Sequence, residues 1–584
     1  MKKLFLPITL TLAAAATAYG IPAKPGFITA HQPDGSEIQI RRIGDERAHL
    51  TLSADGHPLL WNESRGFEYA RILDDGRLES TGVTVSPTRA AAVGMAPSAD
   101  DIQKALGLRR DNSRKTRRPA TAMTRAGNDR NVGLFSTAKF PLKGEQKALV
   151  ILVEFQDVTF GDKCGSAYKY SKIKEGYTAH DYFTEMLNSD SFTALGATGS
   201  CRRWFLDNSR DAQGNSQFSP SFDLYGPVKV SRKMSYYGGN DYYGDDLRPE
   251  EMVIEACKAL DDVIDFRDYD RNNDGVVDNI YIFYAGYGEA DSDLANTIWP
   301  HSYSLEEANK SLVLDGVSIS TYGCSNEVDY YTKAPDGIGT FTHEFSHVMG
   351  LPDLYSTSDS SSLTPGEYSV MDYGPYNNNG RTPPNYSAYE RYALGWCTPL
   401  PLPNSDVRDM SPTPETNVAY IVATDKENEF FICENRQKSG WDRYIPGHGL
   451  LIWHVDYNRQ VFDYNIVNND PYHQYVDIVE AVSNASDKNM SSWTYPGAMN
   501  VTSCSFTGWS NKATGASLSS ITESGDGKIS FTATNPKAET GVTLLPADDA
   551  PTLYYNMQGL PIASPQKGRA YIRVSGSKAE KIIF

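Results

Sequence analysis

Two histidines one helical turn apart, with a glutamate between them, have the types and spacing needed for metal chemistry. In the run His343-Glu344-Phe345-Ser346-His347, both imidazoles project from one face if the segment is a helix. Imidazoles at this spacing can fill two corners of a tetrahedral zinc site. Glu344 would lie beside the metal, where a carboxylate can act as a general base toward water. The run therefore predicts metal-dependent hydrolysis.

A third ligand must come from outside this run, because a catalytic zinc site has three protein ligands and one open position. Gly350 can adopt the left-handed conformation that ends a helix, and Pro352 cannot extend one. The chain should therefore turn just after His347, which can bring Asp353 back to the metal. Glu390, further along the chain, is the alternative third ligand.

The segment from Ser369 to Tyr373 adds two candidate residues. Met371 is either an apolar floor beneath the metal or an ordinary core residue. Tyr373 is either a packed aromatic residue or a catalytic hydrogen-bond donor to the oxyanion of the transition state. Both choices stay open from the sequence.

The two segments together, HEFSHVMGLPD and then SVMDY, resemble the metzincin pattern HExxHxxGxx(ligand) with its Met-turn. Most metzincins have a histidine where this chain has Asp353. With an aspartate in that place, the motif resembles that of the immune inhibitor A (M6) family of secreted peptidases. The resemblance implies an α+β, metzincin-like zinc peptidase domain. It implies that His343, His347 and Asp353 bind zinc. It also implies that Glu344 and Tyr373 are catalytic residues.

The first 20 residues have the parts of a secretory signal peptide. A basic start, Met1 to Lys3, precedes an apolar run and then small residues. No cysteine directly follows the apolar run, so a lipoprotein anchor is not expected, and no later stretch is long enough for a membrane span. We expect a secreted or cell-surface protein.

Composition limits the partners of this 584-residue chain. A formal net charge of -18 argues against nucleic acid or an anionic membrane as a partner. The chain has seven cysteines, a sparse and odd number that does not indicate a disulfide-based scaffold. Cys164 and Cys201 are the candidate pair. The sequence does not predict an oligomeric state.

Residues 21–107 predict a small β-rich module with a helix that begins at Ser98. Residues 108–131 are rich in arginine with little to bury, which is typical of a solvated, protease-accessible linker; a basic binding tail is the alternative. A small module followed by a cleavable linker predicts a zymogen, and the resemblance implies the same. Asp45 is either a prodomain carboxylate that could block the metal or a turn residue.

Residues 132–398 predict the catalytic domain. The apolar runs 149–155 and 279–284 are typical of strands covered on both faces, and helical patterns alternate with them. We expect a mixed sheet flanked by helices, with the two-histidine helix crossing beneath it. His301 is either part of the cleft or structural.

A calcium loop is predicted within residues 268–278, where oxygen side chains alternate and a glycine stands in the sixth place. An acidic turn without metal is the alternative, because position 281 is tyrosine and not the usual glutamate. Calcium would stabilise the fold and take no part in the chemistry. The candidate ligands are Asp270, Asn272, Asp274, the carbonyl of Val276 and Asp278.

Residues 399–535 contain short alternating strands and turn signals, which predict a β-sandwich. His448 and His454 within it either hold a second metal or are packed residues. Residues 536–584 predict a linker and a small β tail, which is similar to short C-terminal sorting segments of exported Bacteroidetes proteins.

These observations favour a secreted zinc endopeptidase, made as a zymogen, that hydrolyses peptide bonds through a zinc-activated water. No feature marks a narrow substrate class, so protein or peptide substrates are expected. One alternative is a surface adhesin whose peptidase-like core holds a structural metal. Another is zinc chemistry on a non-protein amide.

Overall fold

The computed structural model describes residues 19–583, apart from the gaps given next. The gaps are residues 63, 87–93, 117–131, 136–139, 242–243, 293, 359–361, 483–489, 539–552, 556–566, 568 and 576–577. Most of the expected signal peptide, most of the basic linker and most of the linker before the tail therefore lie outside the described residues. The structure is mixed α/β with several sheets. Within the described part of the chain, no helix is long and apolar enough to cross a membrane.

The central sheet has six strands in the order β1-β11-β14-β10-β8-β9. Strands β9, β8, β10 and β14 run parallel, whereas β11 and β1 pair antiparallel at one edge. Their bounds are Tyr19–Gly20 (β1), Gly144–Glu154 (β8), Phe218–Lys229 (β9), Ile280–Tyr287 (β10), His301–Ser304 (β11) and Thr321–Val328 (β14).

Both faces of this sheet are covered, which explains the continuous apolar runs in its strands. On β8, Val150 and Leu152 belong to one hydrophobic core, while Leu149 and Ile151 belong to the core on the opposite face. The helices of this region are Tyr170–Ile173 (α2), Ala179–Asn188 (α3), Cys201–Asn208 (α4), Met234–Gly238 (α5), Pro249–Ala259 (α6), Glu289–Ser292 (α7), Gly339–Val348 (α8) and Ala388–Ala393 (α9). A hairpin adds Leu312–Leu314 (β12) and Val317–Ile319 (β13).

An antiparallel sheet of six strands precedes this region, with each strand pairing with the next. A helix packs on β4. We call strands β2 to β7 and this helix the N-terminal unit. Its elements are Ile28–His31 (β2), Glu37–Asp45 (β3), Ala48–Ser53 (β4), Pro58–Asn62 (β5), Gly66–Ile72 (β6), Leu78–Thr84 (β7) and Ala99–Thr116 (α1).

Helix α1 extends into the stretch that the sequence predicts to be a solvated linker. The linker prediction is wrong for its first residues, because Arg109 and Arg110 are buried. Arg110 donates to a carboxylate oxygen of Asp45 at 2.6 Å, and Arg109 lies near Asp241 and Asp245. Carboxylates from distant parts of the chain thus compensate the buried charges.

Two further sheets follow residue 398. The first has the order β15-β17-β18-β19-β20 and the second β16-β23-β22-β21. Their bounds are Leu400–Pro401 (β15), Asp406–Met410 (β16), Tyr420–Ala423 (β17), Glu429–Arg436 (β18), Gly449–Asp456 (β19), Val476–Ile478 (β20), Cys504–Thr507 (β21), Ala513–Glu523 (β22) and Ile529–Thr534 (β23). Two short helices, Thr413–Thr416 (α10) and Arg459–Asp463 (α11), lie between these strands. A last antiparallel sheet comprises Leu553–Tyr555 (β24), Ala570–Ser575 (β25) and Lys578–Ile583 (β26).

The five-stranded sheet is apolar on both faces. On β18, Phe431 and Cys433 point into a core shared with the four-stranded sheet. On the same strand, Phe430 and Ile432 join the core that contains Phe345 of α8. One hydrophobic core therefore runs from the helix of the histidine pair into the sheet that follows it. Short 3₁₀ turns complete the fold at Ala194–Gly196, Phe266–Tyr269, Gly366–Tyr368, Gly374–Tyr376, Gly440–Tyr444 and Met490–Ser492.

Candidate active site

Helix α8 carries the histidine pair and ends where the sequence predicts. Gly350 has a φ of 105°, a conformation that side chains disfavour. The backbone N–H of Gly350 donates to the carbonyl of His347 at 2.9 Å, and that of Leu351 donates to the carbonyl of Ser346 at 3.0 Å. These bonds close the last turn and reverse the chain, which brings Asp353 beneath the helix.

His343, His347 and Asp353 converge on one point. The two histidine Nε2 atoms lie 3.1 Å apart, and Asp353 Oδ1 lies 3.2 Å from each of them. All three residues are buried. Within the described ranges, no other group of three histidine, cysteine, aspartate or glutamate residues places its ligand atoms within 4.8 Å of one another.

The outer nitrogens of both rings are fixed by backbone carbonyls. His343 Nδ1 lies 2.8 Å from the carbonyl oxygen of Val370, and His347 Nδ1 lies 2.8 Å from that of Leu351. A carbonyl only accepts, so each Nδ1 carries the proton that it donates, and each Nε2 is the nitrogen that faces Asp353. Two imidazole Nε2 atoms and a carboxylate oxygen that converge in a buried space form a donor set that suits zinc.

Asp353 is held by a residue from far along the chain. Asn465 Nδ2 donates to Asp353 Oδ2 at 2.5 Å, and Asn465 Oδ1 accepts from the Asp353 backbone N–H at 2.8 Å. The neighbouring histidines hold the pKa of Asp353 well below its ordinary value. The carboxylate is therefore charged and oriented with Oδ1 toward the histidines.

Glu344 lies beside this group and is fully buried. Burial raises the pKa of Glu344 well above its ordinary value, and the charges of Asp353 and Glu46 add to the shift. Neither carboxylate oxygen of Glu344 has a hydrogen-bond partner among the described residues. Glu344 is thus a buried carboxyl group next to the three converging side chains.

The Met371 segment is joined to His343 and to the loop of Asp353 by main-chain carbonyls. Met371 is fully buried in the core, and its carbonyl accepts from the Leu354 N–H at 2.7 Å. The preceding carbonyl, that of Val370, fixes His343. Tyr373 is partly buried, and burial with the charge of Asp372 raises the pKa of Tyr373 above its ordinary value.

The N-terminal segment 19–24 occupies the cleft above these residues. Strand β1 pairs with the edge strand β11, with Gly20 opposite His301. Tyr355 donates its hydroxyl hydrogen to the Gly20 carbonyl at 2.6 Å. Trp299 Nε1 donates to the Ile21 carbonyl at 3.0 Å. The cleft is therefore filled by an extended segment of the same chain.

The carboxylate that lies next to Gly20 belongs to Glu46 and not to Asp45. A Cβ atom on Gly20 would lie 2.8 Å from Glu46 Oε2. Burial and the charge of Asp45 raise the pKa of Glu46 to about 8. Asp45 instead accepts backbone N–H groups of Arg47 and Ala48 at 3.0 and 3.2 Å, as a turn residue does.

The other candidates named from the sequence lie outside this group. Glu390 accepts from Ser369 Oγ at 2.6 Å and caps helix α9. His301 lies between the Trp299 carbonyl and the Tyr322 hydroxyl, at 2.6 and 2.9 Å. Neither residue has an atom in the three-ligand cluster.

The paired histidines and cysteines predicted elsewhere do not form joint sites. His448 contacts Glu523 and His454 contacts Glu429, at 2.8 and 2.9 Å, so each has its own carboxylate. The pairing of Cys164 with Cys201 is wrong, because both are buried free thiols.

The acidic loop between α6 and β10 wraps around its own side chains. Asp270 accepts from the backbone N–H groups of Asp274 and Gly275, at 3.0 and 2.9 Å. Asn272 Nδ2 donates to Asp278 Oδ1 at 3.1 Å. Burial and the nearby carboxylates raise the pKa of Asp278 to about 6. Among the described residues, no three carboxylates of this loop have ligand atoms within 4.8 Å of one another, as His343, His347 and Asp353 do. Val276, whose carbonyl is the fifth candidate ligand, bridges to Ser318.

Several residues of the site carry no signal in the sequence. Asn465 and Glu46 are distant from the motif, and only the fold brings them to it. Tyr355 and Trp299 are aromatic residues in a chain with many. Asparagine is common in turns, so Asn465 looks like an ordinary turn residue in the sequence. No neighbouring residue indicates that it binds Asp353.

Residues 137–395 match the family model described as the immune inhibitor A peptidase M6 catalytic domain. The match covers fewer than half of the 584 residues and includes the whole three-ligand cluster and Glu344.

Two curated relatives are similar to part of the chain. The pre-pro-metalloprotease PrtV of Vibrio cholerae serotype O1 (El Tor Inaba N16961) is 28% identical over an alignment of 281 residues, and the match covers 43% of this chain and 30% of PrtV. Immune inhibitor A of Bacillus thuringiensis subsp. alesti is 28% identical over an alignment of 273 residues, and the match covers 42% of this chain and 38% of that protein. The similarity spans less than two fifths of either relative and supports a metallopeptidase. Residues 137–395 of this chain are thus similar to the catalytic domain of the immune inhibitor A (M6) peptidases.

Proposed function

We propose that this protein is a secreted, zinc-dependent endopeptidase that is made as a zymogen and hydrolyses peptide bonds in proteins. The observation that carries the proposal is the convergence of His343, His347 and Asp353 beside the buried Glu344. The family match over the same residues supports it.

The site residues divide the work of hydrolysis. His343, His347 and Asp353 would hold zinc, which when bound would supply Lewis acidity toward the substrate carbonyl and toward water. Glu344 takes a proton from the attacking water and passes it to the leaving amine. Tyr373 is our candidate for a hydrogen bond to the oxyanion.

We propose that the N-terminal unit is the prodomain. The residues that lead into it lie in the cleft in an extended conformation, where the Ile21 carbonyl accepts from Trp299 and the Pro22 carbonyl accepts from Tyr376. Cleavage within residues 117–131 would free the N-terminal unit to leave. The printed name of PrtV, a pre-pro-metalloprotease, is consistent with such an organisation.

The remaining assignments follow the sequence. We propose a signal peptide over residues 1–20, a prodomain over 21–107, a metzincin-like catalytic domain over 132–398, a β-sandwich over 399–535 and a β tail over 536–584. The two sheets with a shared core after residue 398 support the sandwich.

We also propose that the loop of Asp270 to Asp278 binds calcium for stability. Its carboxylates lie close enough for Asp270 and Asp274 to raise the pKa of Asp278, which is the charge crowding that a cation relieves. Chelation of calcium should lower the melting temperature of the wild type, whereas Asp270→Asn should abolish that response. A melting temperature indifferent to calcium would remove the assignment.

Substitution of the base tests the main proposal. Glu344→Gln should retain zinc, measured by atomic emission, and lose casein cleavage at least about a thousandfold, because only the proton acceptor is removed. Glu175→Gln, an exposed change, is the matched control. Casein cleavage by Glu344→Gln would refute the mechanism. Wild-type protein that binds zinc and cleaves nothing would favour the adhesin.

A further inference from the structure

The segment 21–24 is hydrogen-bonded to the N-terminal unit. The backbone N–H of Ala23 donates to the carbonyl of Gly44 in β3 at 2.9 Å. The buried members of the two hydrophobic cores of the unit all lie within residues 28–106. The unit therefore has an interior of its own, and helix α1 ends at Thr116, before the residues proposed for cleavage. A cut in the linker would not disturb this interior.

Cationic side chains of this part of the chain face acidic residues of the region that matches the M6 family. Lys24 Nζ lies 2.7 Å from Asp329 Oδ2, and both side chains are largely buried. Arg42 is 3% exposed, and its Nη1 donates to the backbone carbonyl of Glu289 at 2.8 Å. His49 Nε2 lies 3.2 Å from Glu289 Oε1. The contact therefore brings basic groups of one part against acidic residues of the other.

The acidic residues of this contact are not all paired. Asp291 is 7% exposed, and neither its Oδ1 nor Glu289 Oε2 has a hydrogen-bond partner among the described residues. Asp291, Asp329 and Asp336 line one cavity together with Lys24. We call these three aspartates and Glu289 the acidic wall. Negative charge crowded in a buried space favours a cationic partner, which the N-terminal part of the chain supplies.

Main-chain and apolar contacts add to the charged ones. Trp299 Nε1 donates to the Ile21 carbonyl at 3.0 Å, and the hydroxyl of Tyr376 donates to the Pro22 carbonyl at 2.5 Å. Ile21 is 1% exposed and packs in a small core with Ala290 and Trp299. None of these contacts involves the linker, so a cut there removes the covalent connection and leaves the contacts themselves intact.

We propose that activation takes two steps, in which a cut in the linker leaves the N-terminal unit bound as a noncovalent inhibitor and dissociation from the acidic wall then opens the cleft. This inference rests on the proposed function and adds the regulation of the same site. The cut turns an intramolecular contact into a bimolecular one, so the complex acquires a measurable dissociation constant. Buried charge pairs across such a contact mainly slow its dissociation.

A cut full-length chain tests the first step. In the Glu344→Gln chain, where self-cleavage is removed, the recognition sequence of a site-specific protease replaces residues 121–126, and the chain is cut to completion. We expect the two fragments to elute together in size-exclusion chromatography at micromolar concentration and physiological ionic strength. Elution as two separate fragments would overturn the inference. The peptidase assignment would survive that result, because the experiment measures binding, whereas failure of the wild type to cleave casein would count only against the proposed function.

A substitution of Lys24 assigns the retention to the acidic wall. In the cut chain, Lys24→Gln should raise the dissociation constant at least about tenfold, because Asp329 loses its cationic partner. Analytical ultracentrifugation of a dilution series measures the constant. Lys24 is not a member of the neighbouring hydrophobic cores, and the melting temperature of the uncut variant checks that it folds. An unchanged constant in the folded variant would overturn the role of the wall.

Arg71→Gln is the matched control. It also removes one positive charge from the N-terminal unit, but Arg71 is exposed and pairs with Glu79 on the neighbouring strand of the same sheet. Its dissociation constant should equal that of the parent chain. An equal rise in both variants would contradict the assignment to the acidic wall, because loss of net charge alone would then explain the effect. If Lys24→Gln does not fold, the elution of the parent fragments decides.

Discussion

Asn465 holds Asp353 with both ends of its amide, although 112 residues separate them. One hydrogen bond fixes Asp353 Oδ2 and the other fixes the backbone N–H of Asp353, which leaves Oδ1 facing the histidines. The loop after helix α11 therefore orients a side chain of the M6 region, as outer-shell partners do for metal ligands.

Removal of this amide should weaken zinc binding. Asn465→Ala is expected to raise the zinc dissociation constant about tenfold, because Asp353 loses its orientation. Competition with a chromogenic chelator measures the change. Asn469→Ala is the control, since Asn469 lies in the same loop but binds Thr357. Equal losses in both variants would mean that the loop acts only through its fold.

The third ligand can be distinguished from its alternative by metal content. Asp353→Ala should weaken zinc binding by more than about 100-fold, because loss of a residue that binds the metal directly costs more than loss of a residue that orients it. Glu390→Gln should retain zinc and lose only part of a helix cap, about 1 kcal/mol of stability. Zinc analysis after dialysis, with melting temperatures, separates the two. Loss of zinc from Glu390→Gln alone would reverse the assignment.

The ion pair of Asp45 with Arg110 should control how firmly the N-terminal unit is folded. Both side chains are buried, so Asp45→Asn leaves an uncompensated charge, at a cost of about 3–5 kcal/mol. Trypsin should then cut the N-terminal unit faster in a Glu344→Gln background, where self-cleavage is removed. Asp75→Asn, which breaks an exposed pair, should leave the rate unchanged. Equal trypsin rates for Asp45→Asn and its parent would contradict the prediction.

Stability should depend on pH through Glu327. Burial raises the pKa of Glu327 from 4.5 to about 7, against hydrogen bonds from Tyr170, Gly161 and Gly286. The folded protein therefore binds this proton more tightly than the unfolded chain does. The resulting stability is complete below pH 4.5 and is lost as the pH rises through 7, by about 3 kcal/mol in all.

Glu327→Gln cannot titrate, so it should gain stability relative to the wild type between pH 4.5 and pH 8. Melting temperatures of both proteins across this range measure the gain. The exposed Glu175→Gln should show a constant difference from the wild type. A constant difference for Glu327→Gln as well would show that Glu327 keeps an ordinary pKa.

The sequence predicts those parts of the site that depend on local rules. The spacing of His343 and His347 requires only a helix, and Gly350 supplies the turn that returns Asp353. The buried strands of the central sheet likewise follow from unbroken apolar runs such as 149–155. The metal ligands, the base and the mixed sheet could all be inferred in this way, and their chemical roles stay predictions.

Contacts between distant segments could not be predicted. Helix α1 continues to Thr116, and carboxylates from other regions lie beside its buried Arg109 and Arg110. No local sequence pattern indicates these contacts. Of the two interpretations of Asp45, the structure agrees with the turn residue, and the place of Glu46 beside Gly20 could not be predicted for a related reason. The turn after β3 aims one side chain at Arg110 and the next at Gly20, and a two-residue match cannot resolve this.

The sheet that follows residue 398 buries one face in the same core as Phe345 and Trp396. A peptidase fragment that ended at residue 398 would expose the core residues that Ile432 and its sheet cover. It would also lack Asn465. Such a fragment should aggregate instead of folding alone. Any shortened enzyme made from this chain must therefore retain the five-stranded sheet as an obligatory half of its interior.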